Sequence, residues 1–361
     1  MERKKNYFAG PCVLPVEVLK EVEKNIVDYQ GNGLSMIEAS HRGGMFEKMY
    51  DECIALVREL YSVPEDYDVY FLGGGATLQF TMIPFNFLKK NTTADYAMTG
   101  VWANKATEDA IKLGRVNVIF DGKDSKYSTL PEPGSLRFSD DSSYVYICAN
   151  ETIGGLEWKE YPDTGNIPLI CDMSSNYFSQ PVPVEKFSMI YGGVQKNLGP
   201  AGATLIIMKK SMLDRRNENI PAYLDYGRHS KEKGLYNTPP VFSIWVVKLV
   251  LEWIKANGGV KGMYDRSLIT SGMIYDVIDN SNNFYYSPVD ARFRSRMNIC
   301  FRVRNQELEA KFLEEAKNNG MLGLKGHRSV GGLRASLYNS LPTSDVEFLR
   351  DFMIKFEKEN S

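Results

Sequence analysis

The stretch Gly192-Gly-Val-Gln-Lys-Asn-Leu-Gly-Pro-Ala-Gly202 sets a single lysine, Lys196, among small and apolar residues. The run Glu185–Tyr191, "EKFSMIY", precedes it, and "ATLIIM" (203–208) follows as an apolar strand. A lysine in such surroundings is expected at the interior edge of a fold. There, desolvation favours the neutral amine over the ammonium ion. The ordinary alternative is a lysine on a loop that keeps its head in water.

Working outward, strand-like runs alternate with helical ones. "YDVYFL" leads into "GGGATLQFTMIPFNFL", a glycine turn followed by a helix. "YAMTGVWA", "VNVIF", "YVYICANET", "PLICDMSS" and "ATLIIM" read as further strands. Amphipathic helices are expected from Pro15 to Gly31, over "FEKMYDECIALVRELYSV", and over "FSIWVVKLVLEWIKANGGV" up to Gly258–Gly259. Alternation of this kind predicts an α/β fold with a mostly parallel central sheet. Beyond residue 259, "SRMNICFRV" and "VGGLRASLYN" read as strands with helices around them, which predicts a smaller α+β domain. The expected division is 15–258 for the large domain and 259–361, with 1–14, for the small one.

Composition narrows the function. The 361 residues are 43% hydrophobic and 24% charged, ordinary for a globular chain with room for a large core. A net charge of −2 gives no field favouring nucleic acid or an anionic membrane. No apolar run approaches the roughly 18 residues that span a bilayer. The basic N-terminus is followed by no apolar segment of the secretory kind. Five scattered cysteines with no C-x-x-C spacing suggest free thiols, neither zinc ligands nor a disulfide framework. The expectation is a cytoplasmic protein without a metal site.

Three elements carry chemistry. Gly73-Gly-Gly-Ala-Thr77 lies between a strand and a helix, where backbone amides and a helix N-terminus can hold a phosphate. By itself it is equally well a tight turn. Asp172 closes the apolar strand "PLICD", at the sheet edge where α/β folds bind ligands. By itself it is more commonly a helix cap. Lys196 follows the next strand-like run. An anion cradle, an acid and a desolvated lysine are together what pyridoxal phosphate (PLP) requires. Trp102 adds an aromatic face that fits either a cofactor ring or the core.

These residues stand in longer motifs: "GPCVLPVEVL", "SHRGGMFEKMYDE", "TTADYAMTGVWANKA", "ANETIGG", "CDMSSNYFS", "YGGVQKNLGPAG", "YNTPP" and "LKGHRSVGGLRASLYN". With them the whole chain resembles the phosphoserine aminotransferases, class V aminotransferases of PLP fold type I. The resemblance implies that Lys196 binds PLP covalently, Asp172 pairs with the ring nitrogen, Trp102 stacks on the ring and Thr152 bonds near its phenolic oxygen. It implies that Ala76, Thr77 and Gln195 hold the cofactor phosphate, with Asn237 and Thr238 reaching it from a second subunit of a homodimer. Arg334 would take the substrate α-carboxylate. His41, Arg42, His327 and Arg328 would surround a distal phosphate, some of them across the subunit interface. The implied reaction is transamination between L-glutamate and 3-phosphohydroxypyruvate in serine biosynthesis. Some relatives extend it to 3-hydroxy-2-oxo-4-phosphooxybutanoate in pyridoxine synthesis.

The residues support the distal group on their own terms. Two of only three histidines directly precede an arginine, and arginine grips phosphate or carboxylate as a bidentate fork. For either pair alone, a surface loop is the commoner reading. His229 has no such context. Ala9 stands where many relatives carry serine, so a hydroxyl contact is missing there. The "GGGATL" side chains also depart from some relatives, to which backbone binding is indifferent. Another class V enzyme of the alanine–glyoxylate type would not need two His-Arg pairs. A cysteine desulfurase would need a loop cysteine, whereas Cys300 sits in a strand-like run. A nucleotide-binding dehydrogenase is supported only by the glycine turn. A catalytically silent protein of the same fold would not need the Asp172–Lys196 pair.

Overall fold

Seven strands form one sheet in the computed structural model, which describes residues 3–132 and 134–361. In chain order they are β1 (Tyr67–Leu72), β2 (Thr93–Met98), β3 (Arg115–Asp121), β4 (Ser142–Cys148), β5 (Leu169–Asp172), β6 (Met189–Gly193) and β7 (Thr204–Lys209). Their spatial order is β1-β7-β6-β5-β4-β2-β3. Only β7 runs antiparallel to its neighbours, so the sheet is mostly parallel, as expected. The central strands are buried on both faces, which is why they read as unbroken apolar runs.

Alternate side chains feed two cores. Val145, Ile147, Cys171, Ile190 and Ile207 point to one face, covered by α1 (Val16–Asn25), α2 (Gly44–Tyr61) and α6 (Val241–Ala256). Tyr144, Tyr146, Ile170, Tyr191 and Ile206 point to the other, under α3 (Gly75–Phe87) and α4 (Val101–Ile111). A short helix, α5 (Tyr226–Lys231), follows β7.

The C-terminal third builds its own core. Helices α7 (Gly259–Asn280), α8 (Gln306–Asn318) and α9 (Thr343–Asn360) pack with the sheet of β8 (Tyr285–Tyr286), β9 (Asn298–Val303) and β10 (Leu333–Ser336). Tyr7 and Val13 join this core, and Lys5–Asn6 pairs in parallel with Met321–Leu322. Among the described residues, no helix is long and apolar enough to cross a membrane.

Three sequence expectations need correction. The first helix stops at Asn25 and does not reach Gly31. The Asn25 side chain bonds back to the Glu21 carbonyl and accepts from the Gln30 amide, and Gln30 turns to a φ of 55°. "YAMTGVWA" is not one strand: β2 ends at Met98 and α4 starts at Val101, because Glu151 accepts the Trp102 and Ala103 amides. "YVYICANET" also divides. β4 ends at Cys148, and Asn150–Glu151 turns aside to pair with Leu156–Glu157.

Candidate active site

The sheet register places the site. Asp172 ends β5 opposite Cys148 on β4 and Tyr191 on β6. The connection from β6 to β7 then carries Lys196 over the same edge. The chain approaches so closely here that only glycine fits at 192: a Cβ there would lie 2.5 Å from the Tyr177 ring. This is why the lysine sits in a stretch of small residues.

Lys196 is buried, 8% exposed. Its Nζ donates to Thr152 Oγ1 at 2.7 Å and to Ser175 Oγ at 3.0 Å, and those two hydroxyls also bond each other. The Nζ lies 5.6 Å from the centre of the Trp102 ring. Burial holds its pKa below the usual lysine range, against the opposing pull of Asp172. Asp172 is also buried. Desolvation raises its carboxyl above the usual range, opposed first by Lys196, then by hydrogen bonds from Ser174 and Tyr191. The Ser174 amide donates to Asp172 Oδ1 at 2.8 Å. Tyr191 is in turn bonded to Tyr146, hydroxyl to hydroxyl, at 2.8 Å. The carboxylate thus rests on a buried pair of tyrosines.

The glycine loop opens α3. Its N-cap is Gly74, which offers no side chain, so the first-turn amides at Ala76 and Thr77 have no partner within the helix. Gln195 is half-buried beside the residue that follows it, Lys196. The backbone at Gly10–Cys12 closes this side: Cys12 donates its amide to the Gln195 carbonyl at 3.0 Å. Ala9 supplies only its carbonyl, which accepts from the Tyr338 hydroxyl at 2.9 Å.

Arg334, on β10, reaches across to the Thr152 carbonyl at 3.2 Å. The loop before β10 carries His327 and Arg328. His327 Nδ1 bonds Ser329 Oγ at 2.7 Å, and Arg328 is exposed. Partial burial lowers the His327 pKa, and the nearby positive charges of Arg334, Arg328 and Lys105 lower it further. Three other basic side chains thus lie near enough for their charge to be felt at His327. Beside them a cavity of about 500 Å³ is lined by Ile153, Gly154, Arg302, Leu333 and Arg334 among others.

The chain brings Lys196, Asp172, Thr152, Trp102, Gln195 and Arg334 around one edge of the sheet. Other expected site residues lie on the surface. Arg42 is exposed and His41 half-buried, at the start of α2. Asn237 and Thr238 lie exposed between α5 and α6, and Asn237 donates to the Thr238 carbonyl at 3.1 Å. His229, given no role, is buried with Nε2 bonded to the Tyr223 carbonyl at 2.7 Å.

Sequence reasoning missed four contributors. Ser175 shares the lysine, Tyr191 supports Asp172, Glu151 holds the start of α4, and Lys105 lies 4.8 Å from the Trp102 ring centre. The signals were available for two of them. Ser175 follows Asp172 at the sheet edge, and Lys105 lies three residues from Trp102 on one helix face.

Several buried polar atoms have no partner among the described residues: Trp102 Nε1, Arg334 Nε, His41 Nε2 and Thr99 Oγ1. Buried polar groups are nearly always satisfied. With an amine, a carboxylate and free helix amides also present, the residues fit a polar, anionic, aromatic ligand such as PLP.

The class V aminotransferase family model matches residues 6–349. The phosphoserine aminotransferase of Lysinibacillus sphaericus (strain C3-41) is 46% identical over 359 residues, 99% of each chain. The solved phosphoserine aminotransferase of Bacillus circulans subsp. alkalophilus superposes with a TM-score of 0.98, at 43% identity and full coverage of both chains. A PLP-bound phosphoserine aminotransferase from Trichomonas vaginalis superposes with a TM-score of 0.92 at 35% identity, covering 98% of this chain and 100% of that one.

Proposed function

The chain belongs to the class V aminotransferases, within the phosphoserine aminotransferase family, and from that premise we propose how its residues carry out the reaction. It is a PLP-dependent enzyme that exchanges an amino group between L-glutamate and 3-phosphohydroxypyruvate, giving 2-oxoglutarate and O-phospho-L-serine. The observation that carries the assignment of roles is the buried Lys196 amine, held by Thr152 and Ser175 in the field of Asp172.

PLP, when bound, supplies an electrophilic carbonyl carbon and an electron sink. Lys196 would hold it covalently. Lys196 Nζ is also the group placed to move the substrate α-proton, a task suited to an amine whose pKa burial lowers from the usual lysine range. Thr152 and Ser175 hold that amine within the site. Asp172 would pair with the ring nitrogen; burial raises its carboxyl pKa, and Lys196, then the hydrogen bonds from Ser174 and Tyr191, oppose that rise. Trp102 would stack on the ring. Ala76, Thr77 and the α3 amides, with Gln195, hold the cofactor phosphate.

Arg334 takes the substrate α-carboxylate. His327 and Arg328 take the distal anion, the phosphate in one half-reaction and the glutamate γ-carboxylate in the other. His41 and Arg42 join them, and Asn237 and Thr238 reach the cofactor phosphate, from the second subunit of a homodimer. The exposure of Arg42, Asn237 and Thr238, and the unpartnered Nε2 of half-buried His41, support that arrangement. So does the exposed apolar surface of Val27, Leu34 and Ile37 just before His41. The division into a large unit, 15–258, and a small one, 259–361 with 1–14, is supported by the separate C-terminal core. Five unpaired cysteines support a reducing, cytoplasmic setting.

An absorbance spectrum of the purified protein tests the reading. A visible band removed by O-phospho-L-serine and untouched by L-alanine is the expected result. Removal by L-alanine would reject the substrate class, and a protein that shows no band after incubation with PLP would reject the role of Lys196. The alanine–glyoxylate alternative is not favoured, because a four-membered basic cluster has no purpose for a substrate without a distal anion.

A further inference from the structure

One carboxylate in the site has no part in the chemistry above. Glu151 is 1% exposed and directly precedes Thr152. Its two oxygens accept the backbone amides of Trp102 at 3.1 Å and Ala103 at 2.9 Å. These are first-turn amides of α4, which have no acceptor inside the helix. The N-cap of α4 is Gly100, which has no side chain to offer. It has no room for one either: a Cβ at 100 would lie 2.5 Å from the Glu151 carboxyl carbon. A buried acid from a different part of the sheet edge therefore does the work of a helix cap. It contacts the residue that bears the ring over Lys196.

We propose that Glu151 is a positioning residue for the reaction, which fixes the start of α4 and so presents the Trp102 ring to the cofactor. The inference rests on the reading of Trp102 as the stacking residue. A negative charge is favourable at a helix N-terminus, and charge-assisted bonds to amides are the stronger kind. A neutral amide in its place keeps the volume but turns N–H toward N–H at one of the two contacts. The Ala103 amide, if freed, is buried, so the first turn of α4 must shift to satisfy it.

The charged and titratable groups facing Glu151 are Asp172, Lys196 and Cys148. Burial pushes its carboxyl up to about 7, with the two amides pulling it back. Both oxygens are full acceptors only above that range, so the hold on Trp102 is firmest in mildly alkaline solution.

A double-mutant cycle on the holoenzyme tests the inference, using Glu151→Gln, Trp102→Ala and the pair. The readouts are PLP dissociation and the visible circular dichroism of bound PLP, which reports how the ring is held. Glu151→Gln is expected to weaken PLP retention about tenfold, the scale of one charge-assisted bond, and to reduce the dichroic band. In the Trp102→Ala background the same change is expected to add less than about twofold. Equal losses in both backgrounds, or no loss in either, would overturn the positioning role while leaving Trp102 as the stacking residue. A Trp102→Ala protein with unchanged PLP retention and band would overturn the stacking reading and the inference with it. Should Glu151→Gln fail to fold, Glu151→Asp keeps both acceptors at shorter reach, and an intermediate loss confined to the Trp102 background is then expected.

Discussion

The two halves of the site are built differently. Around Lys196 the polar side chains are buried and held by the same chain: the amine by Thr152 and Ser175, Asp172 by Ser174 and Tyr191, the start of α4 by Glu151. Around the distal anion they are loose. Arg328, Arg42, Asn237 and Thr238 are exposed, and His327 has only a neighbouring serine. Charged groups on the surface tolerate solvent, whereas buried ones must be paired or shift their pKa. The inner half is thus preorganised for the step common to all transaminations, and the outer half waits for the anion that distinguishes one substrate from another.

The sharpest break of this contrast lies at Lys196. Lys196→Ala is expected to cut turnover by at least about 10⁴-fold and to abolish the visible band, with an unchanged melting temperature. Steady-state kinetics beside calorimetry decide it, and residual turnover near wild type would end the distinction. Next, Asp172→Ala should lower kcat by about 10²- to 10³-fold, the scale of a lost electrostatic partner in a dry site. PLP should remain measurable in the purified protein.

The outer half should respond in KM. Arg328→Ala and Arg42→Ala are each expected to raise KM for O-phospho-L-serine roughly 10- to 100-fold, the worth of one or two charge-assisted bonds, with PLP retained. Mixing Arg42→Ala with Lys196→Ala sharpens the point. If sites are shared between subunits, hybrid dimers regain one intact site, and re-equilibrated mixtures should recover up to about a quarter of wild-type activity. No recovery would return Arg42 to its own subunit.

The last effect concerns pH. Glu151 has a folded pKa of about 7, above its ordinary 4.5. The folded state therefore keeps a proton that the unfolded chain has released. Its contribution to stability is full below about pH 4.5 and is lost as pH rises through about 7. Glu151→Gln lacks that loss. Relative to the variant, the wild type should lose about 2 to 3 kcal/mol between pH 5 and pH 8. Denaturant titrations at the two pH values measure it, and a flat difference would show Glu151 to be ionised throughout.

What the sequence made legible follows the same division. Strand identity was readable because strands buried on both faces leave continuous apolar runs, and Lys196 and Asp172 stood out as charges at the ends of such runs. Element ends were harder. The stop of the first helix depends on the Asn25 side chain finding the Gln30 amide. The start of α4 depends on Glu151, some fifty positions away in the chain. No local propensity encodes either. Tyr191 was invisible for a similar reason, since its role exists only once β5 and β6 lie side by side. For the outer residues, exposure within one chain says nothing about what a second chain brings, and family resemblance supplied what the residues alone did not.

The pairing of Lys5–Asn6 with Met321–Leu322 has a consequence for the birth of the enzyme. Residues 9–12 are tethered to that strand and close the lysine's side of the pocket. During translation, the sheet carrying Asp172 and Lys196 can emerge and collapse long before residue 321 has left the ribosome. Residues 5–12 must therefore dock after a partner more than three hundred positions later is available, at a loop-closure cost that grows only slowly with that length. A chain lacking residue 321 onward is expected to form the sheet edge but leave this side of the pocket open, so the pairing works as a latch drawn from the far end of the small core.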